Sequence, residues 1–343
     1  MNYSEFIVEE LKKLTAIDSP SGFTARVSRF VADELLAMGY APHLTRKGGV
    51  LCDLGGSQPE DGLLLLAHTD TLGAMVAAVK ENGRLKLTPV GGLSPLNTET
   101  ENCRVYTREG KIYTGTFQLS NASIHVNGEY KSTERSYDTM EVVIDEKTSS
   151  KADTEALGIE TGDYVCFDPR TVVTESGYIK SRFLDDKLSV AILLGFAKYL
   201  KDEKITSRRR LYLHITVFEE TGHGAAASIP EGVTELLSVD MGCVGEGLKC
   251  DEHMVSICVK DSAGPSSYEM TSRLIRLAKE NGLAYAPDVY PHYGSDADAA
   301  LSAGYDARHC LIGAGVYASH GYERSHVDGV VNTFELVRAY ALD

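Results

Sequence analysis

The chain has 343 residues, more than one hydrophobic core usually organises, so two domains are expected. Hydrophobic residues make up 43% and charged residues 24%, the balance of a soluble globular protein. With 34 basic against 49 acidic residues the formal charge is −15, which disfavours nucleic acid and anionic membrane as partners.

Taken in chain order, Ile7, Leu11 and Leu14 recur at helical spacing, and Val27, Phe30, Val31, Leu35 and Leu36 mark a second amphipathic helix ending near Gly39. Leu63 to Ala67 is a continuous apolar run, as expected of a strand buried on both faces of a helix-covered sheet. From about Gly73 to Asp168 the pattern changes to short alternating segments, among them 84–89, 111–115 and 140–144. Gly91-Gly92 and Asn127-Gly128 read as turns, and a short helix is expected near Asp153–Leu157. After Asp185 helix and strand alternate again. Leu188–Leu200 is a strongly apolar helix, and Leu211, Leu213, Ile215 and Val217 share one side of a strand. Further strands are expected at 236–240 and 256–259, and a helix over 268–278 that Gly282 stops. The expected fold is α/β: a helix-covered mixed sheet built from residues 1–72 and 173–343, with a small β-barrel domain inserted at 73–172.

Seven cysteines, an odd number without a CxxC pair, make a disulfide framework unexpected and point to a reducing compartment. The N-terminus lacks the basic start, apolar run and cleavage site of a signal peptide. No apolar stretch has the roughly 18 residues that a bilayer span requires. Cytoplasm is the expected location.

Chemistry-bearing residues collect at or just after apolar segments, and one His-rich stretch lies near the C-terminus. In open α/β sheets such positions converge on the crevice outside the carboxyl edge. His68 and Asp70 follow the Leu63–Ala67 run, two apart and so on one side of extended backbone. That spacing suits a metal-binding imidazole whose second nitrogen donates to a carboxylate; taken alone, it suits better a strand-end histidine beside a turn aspartate. Asp185 and Asp186 precede an apolar helix, where acids are favourable on dipole grounds alone, or where Asp185 bridges two metal ions. Glu219 and Glu220 end the Leu211–Val217 strand, and two adjacent carboxylates there call for a cation unless solvated. One would bind metal while the other acts as general base. Asp240 ends another apolar run, and His320 and His326 lie in the last such segment. This mixture of imidazole and carboxylate suits hard-to-borderline divalent ions, and paired ions are an established arrangement in aminopeptidases.

The motifs together resemble the M42 family of metallo-aminopeptidases, the glutamyl and deblocking group. Ala67-His68-Thr69-Asp70 running to Gly73 resembles the family's AHxDxxG, Phe183–Lys187 its FDDR, Glu219–Gly222 its EEVG, and Gly294–Ala297 its GTDA. The resemblance implies one ion held by His68, Asp240 and a bridging Asp185, and a second held by Glu220, His326 and the same Asp185. It implies zinc or cobalt, a cis Asp185–Asp186 peptide, and Asp70 behind His68. Glu219 would take a proton from the attacking water and pass it to the leaving amine of a short peptide. The inserted domain corresponds to a dimerisation domain, and the family builds homo-oligomers up to hollow dodecamers.

The family's RYxHS near its last ligand is replaced by Tyr322-Glu323-Arg324-Ser325-His326, so His320 is the alternative last ligand. Lys187 stands where the family has arginine, which keeps charge but loses bidentate geometry. His125, Asp296 and His320 are candidates for the substrate pocket, against surface, helix-cap and peripheral roles. Two other functions stay open: the same chemistry on an N-acyl amino acid or specialised dipeptide, and a non-enzymatic metal-dependent assembly protein.

Overall fold

The computed structural model describes residues 3–343; Met1 and Asn2, where the expected N-terminal helix begins in the sequence, lie outside the described residues. The chain forms two compact units: residues up to Thr71 together with Arg170–Asp343, and Leu72–Pro169.

The larger unit opens with α1 (Tyr3–Thr15), α2 (Ala25–Ala37), β1 (His43–Leu44), β2 (Val50–Gly55) and β3 (Gln58–His68). The smaller unit then contributes β4 (Gly73–Val79), β5 (Leu85–Val90), β6 (Asn102–Tyr106), β7 (Ile112–Leu119), β8 (Met140–Ile144), α3 (Lys151–Ala156) and β9 (Tyr164–Phe167). The chain returns to the larger unit through β10 (Val172–Val173), β11 (Tyr178–Ser181), α4 (Leu184–Asp202), β12 (Arg209–Thr216), β13 (Val233–Val239) and β14 (Gly242–Val244). It ends with β15 (Val255–Lys260), α5 (Tyr268–Glu280), β16 (Tyr285–Val289), α6 (Asp296–Ser302), β17 (Arg308–Tyr317), β18 (Glu323–His326) and α7 (Val327–Leu342).

As expected, the larger unit is a helix-covered mixed sheet, of twelve strands, whose central β12, β3, β13 and β17 run parallel. Alternation along β3 shows why its apolar run is unbroken. Leu63, Leu65 and Ala67 face the core shared with α1, α2, α4, α5 and α7, while Leu64 and Leu66 face the other side, against Ala297 and Ala300 of α6. Each such leucine contributes about 1.5–3 kcal/mol relative to exposure. The smaller unit is a closed six-stranded barrel, β4-β5-β8-β7-β6-β9, filled by residues such as Phe117 and Phe167, whose ring centroids are 5.9 Å apart.

The chain bends at both expected turn positions, and one strand was not expected. The β4–β5 hairpin turns at Lys80–Arg84, where Gly83 has φ +82°, and Gly91-Gly92 follows β5 as a bend that leads to a 3-10 turn at Pro95–Asn97. Asn127-Gly128 lies in a turn-rich excursion between β7 and β8. Strand β17 escaped the sequence because Gly313 and Gly315 look like breakers. They are sites of close approach: a Cβ at Gly313 would sit 1.5 Å from the Asp240 carbonyl oxygen, and one at Gly315 2.0 Å from that of Asp251. Lys187, fully buried, donates from Nζ to the carbonyls of Leu14 (3.0 Å) and Ile17 (2.6 Å), fastening the start of α4 to the end of α1.

Candidate active site

The parallel strands deliver their carboxyl ends to one region. His68 ends β3 opposite Thr216 of β12. Glu219 and Glu220 occupy a single 3-10 turn beyond β12, and Asp240 directly follows β13. Asp185 lies at the head of α4, in an extended conformation (ψ 103°) and joined to Asp186 by a cis peptide. His320 lies between β17 and β18. Three non-glycine residues turn the chain through left-handed backbone here: Phe183 (φ 67°), Phe218 (φ 68°) and His320 itself (φ 63°). Such conformations cost about 1–3 kcal/mol each and concentrate at functional sites.

The side chains converge on two groups that share one member. His68 Nε2 is 3.2 Å from Asp185 Oδ1 and 3.8 Å from Asp240 Oδ2. His320 Nε2 is 3.5 Å from Asp185 Oδ2 and 3.7 Å from Glu220 Oε2. Within each trio, His68–Asp185–Asp240 and Asp185–Glu220–His320, the donor atoms lie within 4.8 Å of one another. Glu219 stands beside the first trio, its Oε2 3.5 Å from His68 Nε2.

Asp70 orients His68 by a route other than the one expected. The His68 Nδ1 lies 2.9 Å from the Asp70 main-chain carbonyl, against 3.7 Å from its carboxylate. A carbonyl only accepts, so Nδ1 carries the proton and Nε2 presents its lone pair to the acids. The Asp70 carboxylate accepts instead from the Ser21 hydroxyl and, at 3.1 Å, from the Glu219 backbone N–H. Asp186 accepts from the His68 backbone N–H at 3.2 Å, and its other carboxylate oxygen is buried without a hydrogen bond.

A residue that the sequence reading passed over completes the frame. Glu323, 2% exposed, accepts from the Asp185 N–H (3.1 Å) through one oxygen and from the His320 N–H (3.0 Å) through the other. It thereby ties the shared aspartate to the second histidine. Burial, then the charge of Asp185, pushes its carboxyl up to about 8.

The acids here are crowded and dry. Burial, with Asp185 next, pushes Asp240 up to about 7. Burial and neighbouring charges also hold Glu219, Glu220 and Asp186 well above the usual carboxylate range. Asp185 is buried too, yet its contacts with His320 and His68 keep it low. Among the described residues, no ion pair brings lysine or arginine to Asp185, Glu219, Glu220 or Asp240. A cluster of this kind needs compensating cations, and two sets of one imidazole and two carboxylates fit divalent ions of the zinc, cobalt and manganese class.

His326 does not join the second trio. It is the N-cap of α7: Nδ1 accepts from the Asp328 N–H at 3.0 Å, and Nε2 donates to the Ser176 carbonyl at 2.8 Å. Both ring nitrogens are thus committed, and His320 takes the place expected of it. Replacing His326 by alanine is expected to cost about 1 kcal/mol of stability, read by denaturant titration, with metal content retained. Asp296, at the head of α6, accepts from the Thr216 hydroxyl at 2.7 Å beneath the site. His125 is exposed on a turn of the smaller unit.

In front of the two trios lies a cavity of about 650 Å³, bordered by Asp185, Glu219, Glu220, Asp240 and His320 on one side and by α6 and the 292–295 segment on the other.

A sheet that gathers two histidine–carboxylate trios around one aspartate, with Glu219 beside them, has a donor set suited to a metal-dependent hydrolase. The chain matches the family model for M42 glutamyl aminopeptidases over residues 48–336 and belongs to that family; it is an aminopeptidase. It is 42% identical over 333 residues to the Bacillus subtilis (strain 168) protein YhfE, covering 97% of this chain and 96% of that one. Among solved structures it resembles the aminopeptidase APDkam598 from Desulfurococcus kamchatkensis, at 22% identity and TM-score 0.89 over 100% of this chain and 96% of that one. It also resembles the Pyrococcus horikoshii TET1 peptidase, which assembles into a tetrahedron or a large octahedral shell, at 22% identity and TM-score 0.85 over 98% and 99% of the two chains. Among the described residues no helix is long and apolar enough to cross a membrane.

Proposed function

We propose that this aminopeptidase removes the N-terminal residue of short peptides with two divalent ions, zinc or cobalt, held by His68, Asp185 and Asp240 and by Asp185, Glu220 and His320. The observation that carries this reading is the sharing of Asp185 between two trios whose donor atoms already lie within 4.8 Å of one another. Bound there, such ions would polarise the scissile carbonyl and lower the pKa of the attacking water. Glu219 takes that water's proton and returns it to the leaving amine, a role open to it because it sits at the trios without belonging to either. Asp70 fixes the backbone of Glu219 and the tautomer of His68.

The barrel unit serves self-association into a homo-oligomer built from dimers, a reading supported by the assemblies of the P. horikoshii protein. That the seven cysteines form no disulfide among the described residues supports residence in the cytoplasm.

The test is a matched panel of aminoacyl anilides and their N-acetyl counterparts, with metal analysis of the same protein. Free-amine substrates are expected to turn over with two equivalents of ion bound. Faster cleavage of the acetylated series would replace this reading with an N-acyl amino acid hydrolase.

A further inference from the structure

Another group of metal-ligating side chains lies outside both trios: His253, His326 and Asp328, with one donor atom of each within 4.8 Å of the others. His326 caps α7 and Asp328 sits in that helix's first turn, whereas His253 comes from the turn between β14 and β15. Asp328 Oδ2 is 3.1 Å from His253 Nδ1 and 3.3 Å from His326 Nδ1. Ligands on a zinc-class ion at tetrahedral angles stand about 3.3 Å apart, so both spacings suit a shared ion. The tautomers point the same way. The Ser176 carbonyl only accepts, so the His326 proton is on Nε2, and Nδ1, which accepts from the Asp328 N–H, is a bare lone pair. That lone pair and the Asp328 carboxylate are two acceptors facing each other at 3.3 Å, a contact that a cation between them would turn into attraction. Each imidazole also turns its Nε2 to an outer partner, as ligating histidines do: His326 to the Ser176 carbonyl at 2.8 Å, and His253 to the Tyr178 hydroxyl at 3.4 Å. The backbone behind them is held. The His253 N–H donates to Asp251 at 2.9 Å, and the His253 carbonyl accepts from Asn332 of α7 at 2.9 Å. Gly177 leaves the His326 ring its place, since a Cβ there would sit 2.6 Å from Nε2.

We propose that His253, His326 and Asp328 bind a further divalent ion of the zinc class, which clasps the start of α7 to the turn that carries His253. Two imidazoles and one carboxylate form a donor set for such an ion, with water completing its coordination on the exposed side. None of the three lines the cavity in front of the trios, so the ion is structural. His253 offers Nδ1 once its proton moves to Nε2, where the Tyr178 hydroxyl accepts the hydrogen bond. The His326 lone pair passes from the Asp328 N–H to the ion; that N–H lies at an exposed helix start, where water satisfies it. Arg324 does not compete for the acid, because its guanidinium pairs with Glu252 at 3.2 Å and lies 3.8 Å over the Tyr178 ring. With an exposed carboxylate and a hydrogen bond to displace, this ion is held less tightly than the buried trios hold theirs, and dialysis removes it.

The test adds Zn²⁺ to dialysed, metal-loaded protein and compares the wild type with His253→Ala and Asp328→Asn by calorimetry and by elemental analysis after equilibrium dialysis. The wild type is expected to take up one equivalent more than His253→Ala at about 50 µM free Zn²⁺. Asp328→Asn keeps the N–H at the helix start and exchanges the carboxylate for a neutral amide; it is expected to weaken the added ion by at least about tenfold. The two substitutions lie on separate elements, so a local fault in one does not imitate the other. The reading is a difference between wild type and variant, and it fails or holds apart from the number of ions in the trios. Equal uptake by all three proteins puts the zinc elsewhere and overturns the proposal, as does a wild type that takes up none.

Discussion

Glu219→Gln is expected to leave the protein folded, with two ions bound, and to reduce turnover by at least about 10²–10⁴-fold. The expectation follows from position. Glu219 belongs to neither trio, yet its carboxylate reaches 3.5 Å from His68 Nε2 and its backbone N–H is pinned by Asp70. Glutamine keeps the shape and that backbone bond, so only proton transfer is lost. Metal stoichiometry by elemental analysis and steady-state rates on an aminoacyl anilide measure the two halves. A glutamine variant with full activity would refute the proton-transfer role outright. Loss of an ion along with activity would move Glu219 into the ligand set.

The second large effect separates two histidines six positions apart. His320→Ala removes a member of the Asp185–Glu220–His320 trio and is expected to weaken one of the two ions by at least about a hundredfold, with turnover falling in step. His326→Ala, which loosens a helix cap, should retain both ions. Glu323→Gln is expected to lie between them, about 10–100-fold weaker for one ion, because glutamine accepts from only one of the two N–H groups that Glu323 now serves. Competition with a chelator, followed by elemental analysis, reads all three. If His326→Ala loses the ion while His320→Ala keeps it, the second trio is wrongly assigned.

Much of the site was legible because buried strands in a covered sheet are apolar from end to end, so a polar residue at the end of such a run stands out. His68, Glu219, Glu220 and Asp240 were found this way, and the helix-covered sheet and the barrel followed from the change of periodicity at both ends of the insertion. The last histidine was not legible. His320 and His326 differ by a short strand, β18, whose four residues carry no periodic signal. The apolar helix after His326 favoured that residue, whereas it is His320 whose donor atom lies with those of Asp185 and Glu220, because a residue that starts a helix and a residue that ends a strand look alike in sequence. Glu323 was missed because an acid between tyrosine and arginine reads as solvated surface; only the fold reveals that both its oxygens are claimed by backbone donors. The Asp70 pattern was seen, but spacing alone does not distinguish a carboxylate partner from a carbonyl belonging to the same residue.

The left-handed residues Phe183, Phe218 and His320 separate two jobs that many catalytic pockets combine. Where the reacting groups point is decided by the main chain leaving the sheet, while the opposite wall is furnished by α6 and its approach. Exchanging the furniture therefore need not disturb the aim. Substitutions at Asp298, Ala299 or Ser302, the positions where α6 borders the cavity, are therefore expected to leave the two trios in place.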